Sequence, residues 1–581
     1  MKSNYNKYPS IKLSGDLYKG WEQITAVIKK DYEAQKNNRF VVAIESYQGV
    51  YHDELMEGFN QLPSSLFIHT EDLLLSEDRI QEITFPDVTD DSIFGYMTRL
   101  ELRDLLNWEK VENARRQIVQ TSGMIVVYGY GASLVVENPD LLIYADMARW
   151  EIQRRQRLHE VENIGLRNKD ESTATQYKRG FFVDWRMCDR LKKTLFEKAD
   201  YWLDANLKGE PKMIKASTLL EGLKQTALQP FRVVPFFDPG PWGGHWMQEK
   251  FELDPEATNF AWCFDCVPEE NSLLFRINEE LFEIPSINLV FYQSKELLGA
   301  PVVSRFGEEF PIRFDFLDTM GGGNLSLQVH PSTSYIQEQF GMKYTQDESY
   351  YLLDADSDAT VYLGLKTDIN PAKMIGDLQK AQDGEIVFDT EKYVNCFPAK
   401  KHDHFLIPNG TIHCSGANAM VLEISATPYI FTFKLWDWNR LGLDGKPRPI
   451  NIKHGEKVID WSRTTEWCEQ NIVNQIEKIG EGDGWTEERT GLHENEFIET
   501  RRHWFSKPVT HNTGGGVNVL NLVEGEEVIV ESPDNSFEPF VVHYAETFIV
   551  PANVSSYTIR PYGQSVGKTC GTIKAYVRFR A

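Results

Sequence analysis

Four side chains in the middle of the chain could together bind a divalent metal ion: Gln328, His330, Glu348 and His413. Gln328-Val329-His330 lies on a strand-like run, so positions 328 and 330 share a face at the period of two that a strand imposes. Pro331 ends that run, and Glu348 opens the next apolar one, ESYYLLDAD. His413 follows Pro408-Asn409-Gly410, a local hairpin signal. Two imidazoles, a carboxylate and an amide oxygen suit an ion of zinc type and leave one coordination position for substrate or water. A lone strand histidine is more often simply packed, so the weight comes from four donors on successive ordered runs. If Asn409-Gly410 forms a two-residue hairpin, His404 falls on the face of His413, and His402 follows it by alternation.

The elements that must position these groups fall into three textures. Residues 1–225 alternate apolar runs such as RFVVAIESY and SGMIVVYGYGASLV with charged helical stretches, the pattern of an α/β domain with a mostly parallel sheet. A Pro/Gly-rich joint, PFFDPGPWGGHW, follows. Residues 226–460 then read as short strands broken by turns, an antiparallel barrel or sandwich carrying the metal donors. Residues 461–581 read as a connector and a second β-rich barrel without a matching His cluster; the acidic stretch 456–480 reads as helix and the Gly/Glu-rich residues after it as a loop. The expected fold is therefore multidomain: an N-terminal α/β P-loop-like domain followed by β-rich double cupin (jelly-roll) barrels, the barrel type being implied by the resemblance below.

Bulk properties narrow the function classes. A formal net charge of −25 over 581 residues argues against nucleic acid, which demands a surplus of Lys and Arg. The N-terminus has no apolar export segment, and no run approaches the 18 apolar residues of a membrane span. Seven cysteines without regular spacing fit reduced thiols, and a cytoplasmic location is expected. Cys263 and Cys266 form a C-x-x-C with no second pair to complete a zinc knuckle.

The segment LSLQVHPS resembles the L-S-x-Q-V-H-P motif of class I mannose-6-phosphate isomerases. DESYYLLDAD with ATVYLGLK is similar to that family's Glu-bearing strand and its Y-x-G-L-K, and FLIPNGTIHCSG to its P-x-G-T-x-H-A. LWDWNRLGLDGKPRPINI resembles its Y-D-x-x-R-x-x-x-x-G-K-x-R-x-L-H-I, and PWGG its W-G-G. The resemblance runs from about 235 to 455 and implies two cupin barrels, one Zn2+ (or another divalent metal) per chain and aldose–ketose isomerisation of a small sugar phosphate through a cis-enediol. It makes Lys434 and Arg440 the candidate catalytic cations, and Lys343, Lys446 and Arg448 the candidate substrate-binding ones. Lys434 replaces a family Arg, and Asp315 stands where the family has Lys, with Arg313 two residues away. Gln346-Asp347-Glu348 replaces the family's K-T-E. These changes keep a rival reading open, a non-catalytic or regulatory carbohydrate-binding cupin. A homo-oligomer is left open.

In the N-terminal domain, RFVVAIESYQGVYHDELMEGF has the strand–loop–helix placement of a P-loop but not its chemistry. His52 takes the place of the phosphate-binding Lys and Asp53 that of the Mg2+-binding hydroxyl. NPDLLIYADMARWEIQRRQR resembles the strand and Arg-rich helix of uridine-kinase-like enzymes, which would put Arg149, Arg154 and Arg155 near a nucleotide. A degenerate, non-hydrolysing kinase-like domain is the expectation.

Overall fold

The computed structural model describes residues 3–35, 37–426, 431–441, 448, 450–491 and 493–579. The chain is multidomain and rich in β-structure, and its contacts divide it into two units that are not contiguous in sequence. One comprises Ser10–Thr226 and Pro268–Gln293; the other comprises Met1–Pro9, Ala227–Val267 and Ser294–Ala581.

The first unit is built on a seven-stranded sheet. Its order is Leu17–Lys19, Lys212–Lys215, Tyr201–Asp204, Leu141–Asp146, Arg39–Ser46, Gly123–Gly129 and Ser64–His69. The last five strands are mutually parallel, and Lys212–Lys215 runs antiparallel to both its neighbours, Leu17–Lys19 and Tyr201–Asp204. Parallel strands carry helical crossovers on both faces, which is why RFVVAIES and LLIYAD are apolar almost throughout and buried almost throughout. The residues Pro268–Gln293 return to this unit, where Ser272–Ile277 pairs in parallel with Ile11–Leu13 and antiparallel with Glu280–Pro285.

The P-loop-like segment connects Arg39–Ser46 to the helix His52–Phe59, as its sequence implies. Its loop, however, is filled by the protein itself. Tyr47, Gln48 and Val50 are buried; Gln48 bonds to Glu162 and Trp185, and the Arg155 guanidinium donates to the Gly49 carbonyl. The arginines expected near a nucleotide are spent internally: Arg149 on Asp189 at 2.6 Å, and both Arg154 and Arg155 on Glu151.

The second unit holds two pairs of antiparallel sheets. In the first pair, a six-stranded sheet runs His404–Ile407, Glu348–Ala355, Ala419–Ala426, Ile312–Asp318, Trp262–Cys266, Phe236–Asp238. A five-stranded sheet runs Val394–Pro398, Thr360–Leu365, His413–Ser415, Leu327–Val329, Phe433–Trp436. The second pair has six and four strands around a core that includes Leu520, Leu522, Val528, Val530, Phe548 and Tyr557. Two local expectations fail. The stretch expected as helix to residue 480 is helical over Ile452–Val458 and Thr465–Asn471 but ends in the strand Glu477–Gly482. The residues expected as a Gly/Glu loop form its hairpin partner, Trp485–Gly491. No helix among the described residues is long and apolar enough to cross a membrane.

Candidate metal centre

The three ionisable donors meet across the first pair of sheets. Glu348 opens its strand in the six-stranded sheet, whereas His413 opens one in the five-stranded sheet and His330 directly follows another. His330 Nε2 lies 3.1 Å from Glu348 Oε2, and His413 Nε2 lies 2.6 Å from Glu348 Oε1. Gln328 stands opposite His413 in register, its side-chain amide 3.2 Å from His413 Nε2. Amide nitrogen and oxygen differ only by a half-turn of the group, so the oxygen is available at the same place. His330, Glu348 and His413 are buried; Gln328 is partly exposed and marks the side from which solvent approaches.

The contacts of the two rings show what this arrangement fits. His413 Nδ1 lies 2.9 Å from the Thr411 carbonyl, and His330 Nδ1 3.4 Å from that of Phe431. A carbonyl only accepts, so each Nδ1 donates to it and each ring turns its Nε2 toward Glu348. His330 Nε2 and Glu348 Oε1 are both buried, and their near polar neighbours are the other donors of the cluster. Burial alone would raise the Glu348 pKa, but the imidazoles of His330 and His413 hold it well below the usual range. A buried carboxylate with two imidazole Nε2 atoms turned onto it brings together donor atoms of the kinds that zinc-class ions take. The donor set therefore fits a divalent ion.

Around Glu348 the same face of the six-stranded sheet carries a polar network that sequence reading largely missed. Arg313 pairs with Asp315 and lies 3.6 Å from Glu423. Gln346 donates to Glu348 and Glu423, and Ser425 donates to Glu423. Burial and the neighbouring Glu348 push Glu423 up to about 7, with Arg313 opposing. A usable signal was present: Glu423 is the one charged residue in AMVLEISA, and it stands opposite Tyr350 and Asp315 in register.

The candidate cations are distributed unevenly. Lys434 lies opposite Gln328, hence on the same face of its sheet. It is 3.5 Å from Asp437, which also binds Arg440 at 2.7 Å and Arg448 at 3.0 Å. Burial lowers the Lys434 pKa and Asp437 opposes the fall. Lys343 is exposed and paired with Glu309. Lys446 lies outside the described residues.

His404 is not part of the cluster, because Asn409-Gly410 does not close a two-residue hairpin. The turn carries the chain from the six-stranded sheet to the five-stranded one. Register pairs Glu348 with Ile407 and Tyr351 with His404, so His404 points away from Glu348, and neither of its ring nitrogens has a hydrogen-bond partner. His402 lies beside Tyr351 and Glu524 instead.

Fold and donors thus define a two-sheet antiparallel β-unit with a buried His/Glu metal-type site. Comparison adds its kinship: about 40% of the chain is homologous to mannose-6-phosphate isomerases of the cupin type. The chain is 26% identical over 220 residues to the mannose-6-phosphate isomerase of Streptococcus mutans, a match covering 38% of this chain and 64% of that relative. It is 22% identical over 233 residues to mannose-6-phosphate isomerase ManA of Bacillus subtilis, covering 40% of this chain and 68% of the relative. The crystal structure of the Bacillus subtilis mannose 6-phosphate isomerase superposes with a TM-score of 0.49 at 18% identity, covering 60% of this chain and all of that one. Residues 20–228 match a family model described as a domain of unknown function (DUF8485).

Proposed function

We propose that the chain is a metal-dependent aldose–ketose isomerase acting on a sugar phosphate, mannose 6-phosphate to fructose 6-phosphate or a close analogue. The observation that carries this reading is the pair of imidazole Nε2 atoms turned onto one buried carboxylate, which fits Gln328, His330, Glu348 and His413 as ligands. Homology to mannose-6-phosphate isomerases supplies the reaction class. A bound divalent ion, zinc first among candidates, would stabilise the negative charge that develops on the substrate's carbonyl and adjacent hydroxyl oxygens.

The remaining work falls to this chain's own groups. Moving a proton between C1 and C2 needs a base of near-neutral pKa beside the ligands, and buried Glu423 fits that need. Lys434 and Arg440 are the proposed cations for the reacting end, with Arg448 at the phosphate. Lys343 and Lys446 complete the proposed substrate set, although the ion pair of Lys343 with Glu309 leaves it the weakest member. Remote phosphate binding would be converted into orientation of the sugar.

One observation favours a second reading, a carbohydrate-binding cupin that no longer turns over. Lys434, Arg440 and Arg448 all converge on Asp437, so a carboxylate of the protein already occupies the centre of the cation set. The α/β unit is proposed as a degenerate kinase-like domain: its strand–loop–helix placement supports that origin, and its filled loop supports the loss of phosphate binding.

The deciding experiment combines metal analysis with isomerase assays on several hexose 6-phosphates, for wild type and His330→Ala. The proposal expects bound metal and turnover in the wild type, and at least a ~1,000-fold loss in the variant. Metal retained without turnover on any hexose phosphate would select the binding reading instead.

A further inference from the structure

We propose that the α/β unit carries a second metal site, formed by His52, His69 and Glu71, that binds a divalent transition ion of the zinc class. The topology brings these residues together. His69 ends the parallel strand Ser64–His69, Glu71 sits in the short turn Thr70–Leu73 just beyond it, and His52 is the first residue of the helix His52–Phe59. All three thus lie at the carboxyl ends of the parallel strands, the side on which open α/β sheets bind their ligands.

The distances are those of a ligand set. His52 Nδ1 is 3.0 Å from His69 Nε2 and 3.1 Å from Glu71 Oε1, and His69 Nε2 is 3.9 Å from Glu71 Oε2. Ligands about 2.0–2.2 Å from one tetrahedral ion lie about 3.3–3.6 Å from each other, so the three atoms bracket that spacing. Hydrogen bonding alone does not account for the contacts equally well. His52 Nδ1 holds at most one proton yet closely faces two groups. If protonated, it serves Glu71 and leaves His69 with at best a share; if not, its lone pair confronts a carboxylate oxygen at 3.1 Å. A cation at the centre satisfies all three at once.

The surroundings suit such an ion. The Tyr128 ring stacks on His69 with centroids 4.6 Å apart, and Tyr130 packs on His52 at 4.5 Å, fixing both imidazoles. Asp53 and Asp72 lie near enough to add negative charge. The His52 side chain is 8% exposed and that of Glu71 44%, so the site is walled on one side and open on the other. Two imidazoles and one carboxylate with an open position exclude a purely oxygen-seeking ion such as Mg2+ as the preferred occupant. Water or an oxygen donor of a small ligand would take the open position. No backbone carbonyl fixes His52, whose Nε2 is buried without a hydrogen-bond partner, so this site should bind more weakly than the cupin one.

The test is metal stoichiometry on the full chain, dialysed against buffered micromolar Zn2+ and, separately, Mg2+. Wild type should hold two Zn2+ per chain, His69→Ala one and His330→Ala one, while Mg2+ should leave the His52 site empty. As a check on folding, Zn2+ should raise the thermal midpoint of the His330→Ala/His413→Ala chain, and the exposed substitution Glu71→Gln should abolish that rise. One Zn2+ in the wild type, all of it lost in His330→Ala, would overturn the proposal. So would an unchanged count in His69→Ala or a thermal response indifferent to Glu71→Gln. The outcome does not depend on whether the cupin site isomerises sugars.

Discussion

At the scale of single residues, histidines of one chain meet opposite demands. His330 and His413 keep Nδ1 on backbone carbonyls and present Nε2 to Glu348, whereas His404 is buried with nothing to bond. Burial, with Arg502 adding to it, lowers the His404 pKa from 6.5 to about 3. The unfolded chain therefore takes up a proton near pH 6.5 that the folded chain refuses. The stability tied to this ring is fully present above 6.5 and is lost as pH falls toward 3, about 5 kcal/mol in all and about 2 kcal/mol between about pH 7 and about pH 5. His404→Leu removes both the proton demand and two unsatisfied nitrogens. Urea titrations should show the variant's advantage over wild type growing by about 2 kcal/mol from about pH 7 to about pH 5. An advantage that stays constant with pH would assign the penalty to packing instead. Residue type alone marked His404 and His413 equally; register separated them, and register depended on a turn whose sheet partners no local pattern reveals.

At the scale of elements, the turn at 408–412 is where the proposed metal ligands are tied together. The Gly410 N–H donates to the His330 carbonyl, and Asn409 binds Asp347, the neighbour of Glu348, through both its backbone and its side chain. His413 follows within three residues. Gly410 has φ 84°, and a Cβ there would stand 3.0 Å from the Val458 carbonyl. Gly410→Ala should thus cost about 1–2 kcal/mol from backbone conformation. By moving the carbonyl bound to it, it should also weaken divalent-metal binding by about tenfold at the proposed site of His330, Glu348 and His413. A variant that loses stability but keeps its metal affinity would show that the turn supports the fold without setting the proposed ligands. The Asn-Gly pair marked a turn here, but not the hairpin it suggested, because the chain passes from one sheet to the other. Sequence reading also failed at the Gly/Glu-rich segment: Trp485–Gly491 has almost no apolar alternation, and it is a strand because the ladder with Ile498–Phe505 supplies its partner. Tertiary pairing of that kind leaves little trace in composition. The His52, His69 and Glu71 cluster was illegible for a related reason, since residues 17 apart meet only once the sheet order is known.

At the scale of the whole molecule, charge works against the proposed substrate. The chain carries −25 at pH 7, while Lys434, Arg440 and Arg448, the cations proposed for the substrate, share one carboxylate, Asp437. A phosphate ester approaching from solution meets long-range repulsion first and local attraction only at short range. The Debye length falls from about 30 Å at about 10 mM salt to about 8 Å at about 150 mM, so salt screens the distant repulsion far more than the contacts within the site. For a sugar phosphate, kcat/KM should therefore rise with ionic strength, by about threefold over that range, where an electropositive funnel would make it fall. A neutral sugar analogue should show no such trend, which separates screening from any effect of salt on the fold. A decline with salt would mean that Lys434, Arg440 and Arg448 dominate the field despite Asp437. In that case Asp437→Asn should steepen the decline, because it adds one positive charge to the same surface.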